Sequence, residues 1–271
     1  VTSAIHPTAI VDPGARLGEG VRIGPFAIVG PHVVLGDGVV LYPHAIVDGH
    51  TTLGAGVEVF PGACVGLKPQ DKKYDGSPTT LVVGARTVIR ECATLQPGTV
   101  GALGTTTVGS DCLIMAYSHV AHDCVVGNGV IMANATQLAG HVTVEDSVVL
   151  GGLTNVHQFC RIGTRVITGA ATRVTQDVPP YTMADGHPAA LHGLNRIGLE
   201  RAGLPAETIT SIKKAYRRIF VRGPYSEGLA EVEQTLALEV PEVLRLCQFL
   251  RTSSRGVTRG ALRTRGSADE A

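Results

Sequence analysis

The 271-residue chain contains no tryptophan, and aromatic residues make up only 4% of it. A core without large rings has to be filled by Val, Ile, Leu and Ala, which suits a narrow, repetitive interior. Neither sign of charge is in excess, with 23 Lys plus Arg against 23 Asp plus Glu. The overall balance therefore points to neither a nucleic-acid coat nor an acidic tail. No apolar run approaches the ~20 residues that span a bilayer. The stretch Val1-Thr2-Ser3-Ala4-Ile5-His6 has no basic segment followed by an apolar one, so a soluble, cytoplasmic protein is the expectation. The six cysteines (Cys64, Cys92, Cys112, Cys124, Cys160 and Cys247) include no CxxC pair. Core filler is the favoured reading for them over disulfide or metal ligand. What the chain has in abundance is glycine, 34 residues of it.

Those glycines follow a period. Aliphatic residues recur every six positions from Ile5 and Val11 through Leu17, Ile23 and Val29 to Val65. The series resumes at Val83, Ile89 and Leu95, shifts phase by one residue, and runs from Val108 to Val174 with one polar member, Thr168. Small or β-branched residues stand two positions earlier, as at Ala9, Ala15, Val21 and Ala27. A helix cannot keep a six-residue period on one face, whereas short strands joined by tight turns can. The period is that of a parallel β-helix built from hexapeptide repeats. With three hexads to a coil, residues 18 apart stack, so Val120, Leu138, Val156 and Val174 form one interior column. Cys112, Cys124 and Cys160 fall on positions that take a small apolar side chain.

Residues 67–79 and 97–106 depart from the repeat and read as loops ejected from the prism, a common place for ligand-binding residues. After Asp177-Val178-Pro179-Pro180 the pattern becomes helical. One helix is expected over 205–220, and two more around Leu229, Val232, Leu236 and around Val243, Leu246, Leu250. The domain reading is a β-helix over 1–190, a small helical C-terminal domain over 191–251, and a disordered Ser-, Gly- and Arg-rich tail over 252–271.

Against so regular a background, polar intruders stand out. His122 lies two residues after the interior position Val120, in the column of Gly140 and Gln158, and therefore outside the core. A lone surface histidine is usually inert, but His119, Asp123, His141, His157 and Gln158 all fall within about two coils of it. Histidine is the natural general base at neutral pH, and a carboxylate can hold its tautomer. Asp123 is the nearest in sequence. The first loop offers Gln70, Asp71, Lys73 and Tyr74, a set suited to a sugar and a phosphate, or simply a solvated loop. Lys213, Lys214, Arg217, Arg218 and Arg222 put five positive charges in ten residues of the first C-terminal helix, either a solvated face or a dock for an acidic protein.

The segments "IHPTAIV", "IGPFAIVGPHV", "QDKKY", "IRE", "HVAHDCVVGN", "LAGHV", "HQFCRIG", "QDVPPY" and "AYRRIF" occur in this order across residues 5 to 250. In them the chain resembles the UDP-N-acetylglucosamine acyltransferases that open lipid A biosynthesis. The resemblance implies a left-handed β-helix assembled as a homotrimer, with active sites in the clefts between neighbouring prisms. It implies a 3-hydroxyacyl donor on the phosphopantetheine of acyl carrier protein, the 3-hydroxyl of UDP-GlcNAc as acceptor, and neither a separate cofactor nor a metal. His122 falls on the general base, Asp123 on its orienting carboxylate, and Gly140 on the backbone donor to the thioester oxyanion. Gln70, Asp71 and Lys73 fall in the substrate loop, and His119, His141, His157 and Gln158 on cleft positions. Asn195 and Arg201 fall on acceptor and nucleotide contacts, and the basic helix on the carrier-protein dock.

Three departures from the family pattern bear on function. Leu95-Gln96-Pro97-Gly98 stands where a cleft histidine is common, and Asn195-Arg196-Ile197-Gly198 lacks a glutamate after the asparagine. Ala170 stands where some relatives have glycine in the acyl groove, so one methyl there could shorten the accommodated chain. Two other activities compete: acylation of an amine on a related UDP-sugar, and a zinc-dependent hydratase of the γ-carbonic-anhydrase kind using His119, His122 and His141. A non-catalytic scaffold is the third alternative.

Overall fold

The computed structural model describes residues 4–260. The six-residue period folds into strands that are mostly two residues long, arranged in three sheets of eleven, nine and eight strands. Successive hexads go to successive sheets. Arg22–Ile23 joins sheet I, Ile28–Val29 sheet II and Val34–Leu35 sheet III, after which Val40–Leu41 returns to sheet I above Arg22–Ile23. In the full coils without an ejected loop the pairing is parallel and in register at 18 residues. Val120 stacks on Leu138, Leu138 on Val156 and Val156 on Val174, all 3% exposed or less.

In each two-residue strand the second side chain points inward and the first outward, as the alternation of a strand requires. The small residues two positions earlier, among them Ala27, Val33, Ala45 and Thr136, are also fully buried and fill the corners. Cys112, Cys124 and Cys160 are buried in the same way. Thr168, the polar member of the aliphatic series, is 3% exposed, accepts from the Gly151 N–H at 2.9 Å and lies 2.9 Å from the Thr154 hydroxyl. Its oxygen is thus satisfied inside the core.

The turns between strands show how the prism leaves room for chemistry. Pro7, Pro13, Pro25, Pro31, Pro43 and Pro61 occupy the first turn position. At these coils the turn needs no N–H there, whereas at Glu19 and Asn128 the same N–H donates to the side chains of Asp37 and Asp146. At many of the turns the second position is left-handed, with φ +57° at Phe26, +62° at His44, +59° at Asp123 and +63° at His141.

Both irregular segments leave the prism at its II–III edge. The first lies between Cys64–Val65 and Thr80–Val83, the second between Thr94–Leu95 and Thr105–Val108. Twelve extra residues in the first preserve the six-residue phase, and seven in the second shift it by one. Thr105 and Thr106, read from sequence as loop, open a strand instead.

Beyond the last full coil the structure differs from the sequence reading. An antiparallel hairpin, Thr182–Asp185 with Ala190–Leu194, extends sheet I, so the strand runs through the expected boundary at residue 190. Five helices follow: α1 (Arg196–Arg201), α2 (Ala206–Phe220), α3 (Tyr225–Gln234), α4 (Leu236–Glu239) and α5 (Pro241–Arg251). Leu236 begins the short α4 rather than ending the second expected helix. Ile212, Ala215, Ile219, Leu229, Val232, Val243, Leu246 and Leu250 form their common core. Residues 252–260, expected to be disordered, pack on the prism instead. Val257 bridges Asp177, Gly260 bridges Leu191, and the Ser253 hydroxyl donates to the buried Asp177 carboxylate at 2.7 Å. These contacts use backbone and single side chains, so they leave no apolar periodicity to read. The remainder of the expected tail, 261–271, lies outside the described residues.

Candidate active site

The turn at 122–123 connects His119–Val120 of sheet II to Val125–Val126 of sheet III, and so lies on the II–III edge from which both loops emerge. Gly140 and His141 occupy the same turn one coil on, and Gln158 and Phe159 the turn after that. The stacking of coils thus lines up the predicted residues along one edge.

His122 Nδ1 lies 2.8 Å from Asp123 Oδ2. The carboxylate accepts this bond because four other contacts fix it. The Thr99 hydroxyl donates to Oδ2 at 2.6 Å, the Thr99 N–H reaches both oxygens at 3.1 and 3.2 Å, and the Gly104 N–H donates to Oδ1 at 3.0 Å. Asp123 is 1% exposed. Burial by itself would raise its pKa, but hydrogen bonds from Thr99 and His122, with the nearby His141, outweigh it and hold the carboxyl below the ordinary value. An acceptor-only Asp123 makes Nδ1 of His122 the protonated nitrogen and leaves Nε2 with a lone pair.

Gly140 sits directly against this imidazole. A Cβ at residue 140 would lie 2.6 Å from His122 Cε1 and 2.7 Å from Nε2. Gly140 also stands at the turn position that proline takes elsewhere, and its N–H finds no protein acceptor among the described residues. The site therefore offers a base and an unused backbone donor side by side. His141 meets His122 edge-on with centroids 5.1 Å apart and stacks on Phe159 at 4.5 Å.

His119 is held apart from this group by a 2.7 Å hydrogen bond between its Nδ1 and the Thr94 hydroxyl. Burial, reinforced by His122, lowers its pKa, so it stays neutral at neutral pH. With His157 it lines a groove of about 350 Å³ along sheet II, floored by Leu138, Ala139 and Val156. His157 is exposed and lies 3.2 Å from Arg255, a contact that the segment after α5 supplies. Gln158 is exposed on the same edge. The larger cavity, about 620 Å³, lies on the III–I edge among Asn128, Thr164, Arg165, Tyr181 and Arg245, and contains none of the predicted site residues.

In the first loop, Gln70, Lys73 and the half-buried Asp71 sit above the same edge, and the Gln70 N–H donates to Gln96 Oε1 at 3.0 Å. Gln96 thereby ties this loop to the prism. Its own N–H donates to Val120 O at 3.0 Å.

Three predicted residues lie elsewhere. Ala170 is exposed at a turn on the I–II edge. Asn195 is the N-cap of α1, accepting from Gly198 N at 3.1 Å and donating to Arg165 O at 2.9 Å on the III–I edge. Its amide thus has a structural task that also explains Gly198, where a Cβ would collide with the Asn195 side chain. Arg201 is exposed at the end of the same helix. On α2, Lys213, Lys214 and Arg217 are exposed, as is Arg222 just beyond it. Arg218 departs from the expected docking set: it is engaged with Glu231 at 2.6 Å and with Arg222 O at 2.9 Å.

Sequence reasoning missed Thr99, Thr106 and Gly104 as parts of the site. The metal grouping also differs from the triad considered from sequence. Among the described residues, His122, Asp123 and His141 are the set whose ligand atoms converge within 4.8 Å, without His119. The Asp123 oxygens are already taken up by the donors named above, which fits a positioned carboxylate better than a metal ligand.

Among the described residues no helix is long and apolar enough to cross a membrane. Residues 177–258 match the family described as UDP-N-acetylglucosamine O-acyltransferase, domain 2, and residues 14–49 and 105–140 match bacterial transferase hexapeptide repeats. An acyl-[acyl-carrier-protein]–UDP-N-acetylglucosamine O-acyltransferase from Alkalilimnicola ehrlichii is 55% identical over 94% of this chain and 99% of its own. The one from Verminephrobacter eiseniae is 49% identical over 96% of this chain and all of its own. The crystal structure of the Francisella novicida UDP-N-acetylglucosamine acyltransferase superposes with a TM-score of 0.92 at 32% identity, covering 98% of this chain and all of that one. That from Bacteroides fragilis gives 0.91 at 38%, covering 94% and 100%. The coil is thus the left-handed parallel β-helix of these proteins with a small helical C-terminal region, and the chain belongs to the UDP-N-acetylglucosamine O-acyltransferase family.

Proposed function

We propose that the protein transfers a 3-hydroxyacyl chain from acyl carrier protein to the 3-hydroxyl of UDP-N-acetylglucosamine, with His122 as general base. The observation that carries this reading is the 2.8 Å His122–Asp123 pair seated against Gly140. An alcohol becomes an effective nucleophile when its proton is removed as it attacks, a step that typically contributes ~10² to 10⁴ in rate. His122 Nε2 takes the proton while the sugar oxygen bonds to the thioester carbonyl, and Asp123 stabilises the imidazolium. The carbonyl oxygen becomes an oxyanion facing the Gly140 N–H, a kind of donor worth about 3 to 4 kcal/mol. Collapse expels the phosphopantetheine thiolate, and the imidazolium returns the proton to it. No acyl-enzyme, metal or cofactor enters the step.

The remaining residues divide by edge. His119, His141, His157 and Gln158, with Gln70, Asp71 and Lys73 on the loop, line the acceptor side of one prism. Ala170, Asn195 and Arg201 lie on other edges and come to this site from a neighbouring copy in a homotrimer. The exposed cations of α2, Lys213, Lys214 and Arg217, with Arg222, dock the acidic carrier protein, and the reaction runs in the cytoplasm.

Incubation of the purified protein with UDP-GlcNAc and 3-hydroxyacyl carriers of several lengths, with product masses recorded, tests donor, acceptor and chain length together. A preference for short chains that Ala170→Gly relaxes supports Ala170 as the length determinant. Faster turnover of a 3-amino acceptor would move the activity to an amine, and loss of activity on exhaustive chelation would favour the zinc reading. His122→Ala should keep the assembly and lose most turnover; wild-type turnover would remove His122 as the base.

A further inference from the structure

We propose that Thr99 is a positioning residue for catalysis, orienting His122 through the Asp123 carboxylate. The inference rests on the base assignment just made and adds a residue on the second loop. The Thr99 hydroxyl and His122 Nδ1 share one oxygen, Asp123 Oδ2, at 2.6 and 2.8 Å. The other oxygen, Oδ1, faces the Gly104 N–H at 3.0 Å. Below the turn, the Asp123 N–H donates to the Thr106 hydroxyl at 2.8 Å. The carboxylate is therefore gripped from both sides of the loop, by Thr99 as the chain leaves the prism and by Gly104 as it returns. The neck between them is closed: Gly98 N donates to Thr80 O and Thr80 N to Gly104 O. A Cβ at residue 98 would overlap the backbone of Gly104 and Thr105.

The coil itself does not require this grip. His141 and Phe159 hold the same left-handed turn position one and two coils on, at φ +63° and +66°. Both do so without a loop above them. Asp123 alone among the three receives an ejected loop, and its partner across the shared oxygen is the candidate base. Thr99 is 5% exposed and Asp123 1%, so water does not substitute readily for the hydroxyl. The hydroxyl fixes which lone pair of Oδ2 meets the imidazole, and so fixes the ring plane and the protonated nitrogen.

Thr99→Val removes the hydroxyl and keeps the shape; Thr99→Ser keeps the donor. Thr99→Val is expected to lower kcat about ten- to hundred-fold, the scale of one hydrogen bond to a charged group. Both KM values should stay within about two-fold, and Thr99→Ser should recover most of the loss. In ¹⁵N-histidine spectra the wild-type His122 should show Nδ1 protonated and Nε2 bare, and Thr99→Val a mixture of tautomers. A Thr99→Val enzyme with wild-type kcat and tautomer, alongside an inactive His122→Ala, would overturn the role of Thr99 and leave the base reading intact. A His122→Ala enzyme with full turnover would overturn both. Loss through KM alone, or no recovery with serine, would reduce Thr99 to a structural residue. If Thr99→Val loses its cooperative melt, Thr99→Ala carries the same comparison.

Discussion

Adding one methyl at Gly140 should abolish most activity without harming the fold. The Cβ would sit 2.6 Å from His122 Cε1 and 2.7 Å from Nε2, against an ordinary carbon–carbon contact of about 3.5 to 4.0 Å. The imidazole therefore has to retreat by about 1 Å. It cannot do so and keep its 2.8 Å bond to Asp123 Oδ2, because Thr99 and Gly104 hold the carboxylate in place. Displacement of a reacting group by 1 Å costs on the order of 10²-fold in rate. The backbone should tolerate the change, since Gly140 is not among the residues with positive φ. Alanine at a compatible position stabilises by about 0.4 to 1 kcal/mol through the unfolded state, which offsets part of the local crowding. Gly140→Ala should thus lose about 100-fold in kcat with a melting temperature close to wild type. Steady-state kinetics with an acyl carrier donor and UDP-GlcNAc, together with a calorimetric scan, measure both. Wild-type kcat in a folded Gly140→Ala protein would mean that the ring position seen here is not the reactive one.

Two further outcomes follow from buried polar groups. Asp123 has a folded-state pKa below its ordinary value of ~3.9, so its contribution to stability is present above that value and is lost as pH falls toward the depressed folded pKa. Asp123→Asn should flatten this acid limb in a pH series of denaturant midpoints as well as lower turnover; an unchanged limb would show that Asp123 is not the titrating group. Thr168→Val replaces the one polar side chain of the aliphatic series by its apolar isostere and strands the Gly151 N–H inside the prism. A loss of about 1 to 3 kcal/mol is expected in urea unfolding, and a stabilised protein would show that the hydroxyl is dispensable there.

The prism was legible because its rule is local and repeats. In every full coil without an ejected loop a side chain at the second position of a strand meets its neighbour 18 residues away, so Val120, Leu138, Val156 and Val174 announce one another in sequence. The same regularity exposed His122, Asp123 and His141 as residues the scaffold did not need. The hairpin at 182–194 and the packing of residues 252–260 were not legible for the converse reason. Asp177 holds Val257 and Ser253 through a backbone bridge and one hydroxyl, contacts that leave no recurring pattern in the chain.

The environment of Asp123 escaped notice for a different physical reason. Thr99 and Gly104 belong to a stretch whose composition says only that it turns, and their effect depends on how the loop folds back. Gly98 closes the neck and Thr99 then lands on a carboxylate 24 residues later in sequence. A residue that acts through a closed loop is invisible to periodicity, whereas one held on a coil is not. The same distinction separates the predicted residues that the chain brings together from those it does not. His122, Gly140 and Gln158 share a column, so stacking alone aligns them. Ala170 and Asn195 lie on the other two edges of the same prism, where no internal packing can carry them to His122. If all of them serve one reaction, its cleft has to be closed by a second copy of the chain. In mixed trimers of His122→Ala and Ala170→Gly subunits, sites that join the intact histidine of an Ala170→Gly subunit to Ala170 of a His122→Ala neighbour should then yield product of the wild-type chain length, which neither variant makes alone.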